Sequence, residues 1–135
     1  MSDTTTAPAA ADAATQAALE RLNTVIDRLI APDGCPWDST QTPESLTEYV
    51  IEECHELVDA IRSGKTADMV EELGDVAFLI LMIGKLMART GGPSLADALE
   101  VEAAKMVRRH PHVFSDTTYE LSLIHISEPT RRSYI

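Results

Sequence analysis

"EECHELVDAIRSGKTADMVEELGD", Glu52 to Asp75, holds two apolar-periodic segments joined by Ser63, Gly64 and Lys65. Leu46, Tyr49, Val50, Leu57, Ala60 and Ile61 recur at helical spacing before the joint, and Met69, Leu73, Val76 and Ile80 recur after it. Gly64 can take the left-handed conformation that ends a helix. So short a connection makes the two helices antiparallel neighbours. Glu53 falls inside the first stripe and Glu56 on its edge, while Glu72 lies on the second stripe with Asp75 beside it. A carboxylate on an apolar face is costly in desolvation unless a partner compensates it. The pattern therefore sets the fold and raises the question of function together.

The flanks complete an all-α domain. A helix is expected from about Thr15 to Ile30, with Leu19, Leu22, Ile26 and Leu29 on one face. Ala31–Thr42 reads as a loop punctuated by Pro32, Gly34 and Pro36. Thr42 is an N-cap for the next helix, with Pro43 at its first position, and that helix runs to about Arg62. The third spans about Thr66–Arg89 and stops at Gly91-Gly92-Pro93; Ser94 with Asp97 forms a capping box for a fourth, reaching about Arg109 before Pro111. The expected organisation is a lead over 1–14, low in bulky apolar residues and disordered, then a four-helix domain over 15–120. Residues 121–135 are expected to be a non-native tail. "LSLIHISEPTR" (Leu121–Arg131) continues none of the helical periods and resembles the translation of a sequencing-library adaptor.

Composition narrows the function. The chain has 135 residues, 44% hydrophobic and 24% charged, enough for one domain with a modest core. Its formal net charge of −11 argues against sequence-independent binding to nucleic acid or to an anionic membrane. A phosphate substrate stays open, because bound divalent metal inverts the local field. The most apolar stretch, Val76–Met87, is too short to span a bilayer. Cys35 and Cys54 make no metal-type pair, and no signal-peptide core stands at the N-terminus, so a cytoplasmic protein with reduced thiols is expected.

Glu53 and Glu56 share a helix face about one turn apart, and Glu72 and Asp75 repeat the spacing. Counted from the joint, the two pairs stand at one level. Four convergent carboxylates cannot all ionise in a core without a cation, and oxygen-only ligation suits Mg²⁺ or Mn²⁺ rather than zinc. The bland alternative is a solvated acidic face. A di-iron bundle is a rival, since Glu52 and His55 form one Glu-x-x-His, but Asp75 stands where a second His would be needed.

"GCPWDSTQT" (34–42), "EECHE" (52–56), "EELGD" (71–75) and "RRHPHVF" (108–114) resemble, in order and context, the MazG-like nucleoside triphosphate pyrophosphohydrolases. The resemblance covers about Leu19–Tyr119. It implies hydrolysis of a nucleoside triphosphate between its α- and β-phosphates to nucleoside monophosphate and pyrophosphate. It also implies that Glu53, Glu56, Glu72 and Asp75 are Mg²⁺ ligands, and that Glu52 orients the attacking water or binds a further metal. Lys105 and Arg109 read either as a phosphate clamp, which the resemblance supports, or as cations that favour a helix C-terminus. Trp37 reads either as a base-stacking surface or as a packing anchor. Members of the family continue past "HPHVF" with a further helical segment, and the adaptor-like tail is expected to stand in its place here. Alternatives are a non-catalytic MazG domain serving assembly, or a relative specialised for dUTP/dCTP or phosphoribosyl-ATP. The unbroken apolar run Val76–Ile83 adds the expectation of a homodimer or higher oligomer built around the third helix.

Overall fold

The computed structural model describes residues 6–115, and among these every regular element is helical. The first, α1, spans Thr6–Ile30; α2 is one turn, Pro36–Ser39; a 3₁₀ turn at Glu44–Leu46 leads into α3, Thr47–Ser63. Then follow α4, Thr66–Arg89, α5, Leu95–Arg109, and the single turn α6, Pro111–Phe114. The chain divides into two compact units, one up to Thr90 and one from Gly91. The four long helices correspond to those expected. The tail assigned to 121–135 lies outside the described residues.

Three boundaries differ from expectation. The first helix begins at Thr6 instead of about Thr15, so Thr6–Ala14 are helical rather than part of a disordered lead. Ala has the best intrinsic helix propensity, and these positions extend an established helix without needing buried bulk: Ala9–Ala14 are exposed. Within the expected loop, Pro36 opens the short α2, where a proline ring suits a first helical position. The start of α3 is also later than expected: Thr42 and Pro43 precede the 3₁₀ turn, and α3 itself begins at Thr47. The Thr42 N–H donates to Ser45 Oγ at 2.9 Å and the Ser45 N–H to Thr42 Oγ1 at 3.1 Å, which satisfies the first turn.

In the first unit, α3 pairs with α4 along its length, and α1 packs on α4 and on α2. The joint turns on Gly64, at φ 71°, whose N–H donates to the Ile61 carbonyl at 3.2 Å. The inward seam of α3 is Leu46, Val50, Glu53, Leu57 and Ala60, all buried or half-buried. That of α4 is Met69, Glu72, Val76, Leu79, Ile83 and Leu86. Both advance by alternating steps of three and four, the spacing of one helix face. Tyr49, Ile61, Leu73 and Ile80, placed on the stripes from sequence, are instead 41–59% exposed. Their broader periodicity admitted them, but the seam is narrower and the carboxylates occupy two of its positions. Ile26 of α1 and Met82 of α4 are fully buried in this unit.

The α1–α3 connection folds back on the end of α1. The Cys35 N–H donates to the Leu29 carbonyl at 2.9 Å. At Gly34 a Cβ would lie 2.3 Å from the Arg28 carbonyl oxygen and 2.4 Å from that of Leu29, so only glycine fits. Lys85 of α4 pairs with Asp27 of α1. In the second unit the expected capping box opens α5, with the Ser94 N–H donating to Asp97 Oδ2 at 2.8 Å.

Candidate metal centre

Glu53 and Asp75 each lie eleven residues from Gly64, and Glu56 and Glu72 each lie eight, so the antiparallel pair brings both sets to one level. One carboxylate oxygen from each of Glu53, Glu72 and Asp75 can be chosen so that all three lie within 4.8 Å of one another. A Mg²⁺ ion with ligands at about 2.1 Å spans about 4.2 Å between opposite oxygens. Adjacent ligands lie about 3 Å apart, so the three oxygens would draw closer together around one ion. Three oxygen donors with no nitrogen or sulfur could hold a hard cation.

The electrostatics agree. Glu53 is held above the ordinary carboxylate range, first by desolvation and then by the Asp75, Glu56 and Glu52 charges; a side-chain hydrogen bond from Glu72 partly offsets this. Glu72 is raised by desolvation, then by Glu56, Asp75 and Glu53, and its own hydrogen bond to Glu53 adds to the shift. Ion pairs among the described residues join Arg28 to Asp33, Lys85 to Asp27 and Lys105 to Glu102. Within the acidic cluster, mutual repulsion adds to desolvation in raising Glu53 and Glu72.

Glu56 and Glu52 do not join the three converging carboxylates. Glu56 lies near enough to Glu72 to raise its pKa, and both line an open cleft of about 220 Å³ with Asp59, Ala60, Ser63 and Asp68. Asp59 and Asp68 escaped the reading of the sequence. Their signal was present: Asp59 continues the three-residue spacing of Glu53 and Glu56, and Asp68 stands one turn before Glu72. Glu52 is exposed and acts on Glu53 through charge.

Trp37 stands on α2, 48% exposed, with its ring edge-on to Tyr49 at a centroid distance of 5.7 Å and an angle of 87°. Tyr49 precedes Glu53 by four residues, about 6 Å along α3. The aromatic pair thus stands one helical turn from the carboxylates. Lys105 and Arg109 lie on α5 in the second unit, where Lys105 Nζ pairs with Glu102 at 2.8 Å. Beside them, Arg108 has a buried Nη1 without a hydrogen-bond partner among the described residues.

Residues 41–114 match the family described as the MazG nucleotide pyrophosphohydrolase domain. The chain belongs to that family. The matched segment contains Glu52, Glu53, Glu56, Glu72 and Asp75, together with Lys105 and Arg109, and leaves Trp37 just outside it. Over 92 residues, 68% of this MazG chain, it is 47% identical to the uncharacterized protein YabN of Bacillus subtilis. Over 98 residues, 73% of the chain, it is 41% identical to the nucleoside triphosphate pyrophosphohydrolase/pyrophosphatase MazG of Thermotoga maritima. These matches span 19% and 38% of those two proteins. The crystal structure of a mazG-related protein from Thermotoga maritima superposes with a TM-score of 0.62 at 29% identity, covering 76% of this chain and 89% of that one. The all-helical architecture is thus that of a solved MazG relative. Among the described residues no helix is long and apolar enough to cross a membrane.

Proposed function

We propose that this MazG domain hydrolyses nucleoside triphosphates to nucleoside monophosphate and pyrophosphate, with Mg²⁺ as its working cation. The observation that carries the reading is the convergence of Glu53, Glu72 and Asp75, from two adjacent helices, in a chain of this family. Glu56 completes the acidic wall next to Glu72. When bound, the cation shields phosphate charge and lowers the pKa of a coordinated water. The chain's own residues do the rest. Glu53, Glu72 and Asp75 hold the cation and orient the triphosphate through it. Glu52, exposed beside Glu53, orients the attacking water and takes its proton on the carboxylate. Trp37, backed by Tyr49, stacks on the base.

Release of pyrophosphate from a panel of nucleoside triphosphates tests this directly. Stoichiometric pyrophosphate with Mg²⁺, and none with a chelator, is expected. Release of single phosphates, or no release from any triphosphate, contradicts the reading.

The working unit is proposed to be a homodimer. Ile51 and Val58 lie two turns apart on one side of α3, and Leu73 and Ile80 lie likewise on α4. These four residues are 40–62% exposed. Leu79, Leu81 and Met82 are already buried within the chain, so α4 contributes to an interface mainly through residues such as Ile80. Burying some 800 Å² of apolar surface provides on the order of 20 kcal/mol, before association entropy reduces it. Sedimentation equilibrium at micromolar concentration should give a dimer or larger species. A folded monomer at that concentration would remove the proposal.

A further inference from the structure

Arg89 closes α4, and its guanidinium reaches into the connection between α1 and α3. Nη1 donates to the Ile30 carbonyl at 3.2 Å, and Nη2 donates to the Ser39 and Gln41 carbonyls, both at 3.3 Å. These acceptors bracket the connection from the last residue of α1 to the residue before Thr42. Between them hangs α2 with Trp37, braced edge-on by Tyr49.

The placement ties one aromatic ring to both helices of the metal centre. The helix that carries Arg89 also carries Glu72 and Asp75, and the helix that carries Tyr49 also carries Glu53. α1 is already joined to α4 one turn earlier by the Lys85–Asp27 pair. The added effect of Arg89 therefore falls on the Ala31–Thr42 segment. Arginine suits the task because its flat fork presents several donors at fixed angles, whereas a lysine ammonium is a single flexible point.

We infer that Arg89 is a positioning residue that fixes Trp37 against the nucleobase of the bound triphosphate, in register with the carboxylates on α3 and α4. This rests on the stacking role proposed for Trp37. The chain contains one tryptophan, so its intrinsic fluorescence reports Trp37 alone.

The test compares Arg89→Lys, Arg89→Met and Trp37→Ala with the unaltered chain, using ATP as the probe. Both Arg89 variants should raise KM on the order of ten-fold, the effect of losing one or two charge-assisted hydrogen bonds. They should leave kcat and Mg²⁺ affinity unchanged and make Trp37 more accessible to acrylamide. Arg89→Lys keeps the charge at the helix end and carries the test if Arg89→Met does not fold. A merely structural role would lower helix content and Mg²⁺ affinity together with kcat, and that result overturns the inference. If Trp37→Ala raises KM while the Arg89 variants keep both normal KM and normal quenching, the inference alone fails. If Trp37→Ala leaves KM unchanged, the stacking role fails and the inference falls with it.

Discussion

Replacing Glu53 by Gln, or Asp75 by Asn, is expected to lower kcat for triphosphate hydrolysis by at least roughly a thousand-fold, about 4 kcal/mol of transition-state stabilisation. Each change removes one anionic ligand from a group of three whose oxygens lie within 4.8 Å. The neutral amide keeps the shape but not the charge that holds a dication. Calorimetric titration should show Mg²⁺ affinity falling in parallel. The metal-free variants should fold at least as well as the parent, because the change relieves like-charge repulsion that raises the Glu53 and Glu72 pKa values. Unchanged Mg²⁺ affinity in both variants would remove these residues from the site.

Much of this site was legible from spacing. The joint at Gly64, the capping box at Ser94 and the equal distances of the carboxylates from the turn follow from local rules that act within a few residues. Periodicity named Glu53 and Glu72 as intruders on apolar stripes, and both stand on the observed seam. It admitted Leu73 and Ile80 as well, because a stripe read from sequence is wider than a two-helix seam. What spacing could not supply was long-range. Arg89 reaches carbonyls some fifty residues away, and backbone acceptors carry no sequence signature. Lys85 found Asp27 across a similar gap. Which of the acidic residues converge depends on side-chain directions across the pair, so Glu56, expected among the ligands, stands at the right level but outside the group of three.

The second large effect is a linkage between metal, proton and stability. Glu53 and Glu72 hold their protons to higher pH in the folded chain than ordinary carboxylates do. Between the ordinary carboxylate range and these raised values the native state binds more protons than the unfolded state, so their contribution to stability falls as pH rises. The metal-free protein therefore carries more of this penalty as pH rises through the raised values and is relieved of it as pH falls back through them. Mg²⁺ needs the deprotonated ligands, so its stabilisation grows over the same interval. At Mg²⁺ about a hundred-fold above Kd, the increase in Tm at neutral pH should be on the order of 10 °C. It should shrink as pH falls through the raised values. Thermal scans with Mg²⁺ and with a chelator from pH 8 down to about pH 4.5 would check this. A shift of constant size across that range, or one that survives in a Glu53→Gln, Asp75→Asn double variant, would separate the metal effect from these carboxylates.

Hydrolysis of a nucleoside triphosphate in ¹⁸O-labelled water bears most directly on the proposed chemistry. Attack at the α-phosphorus, with the cation held between α3 and α4, places the label in the nucleoside monophosphate and leaves the pyrophosphate unlabelled. Mass spectrometry of the two products is expected to show that distribution. Label in the pyrophosphate, or in released single phosphate, would contradict it.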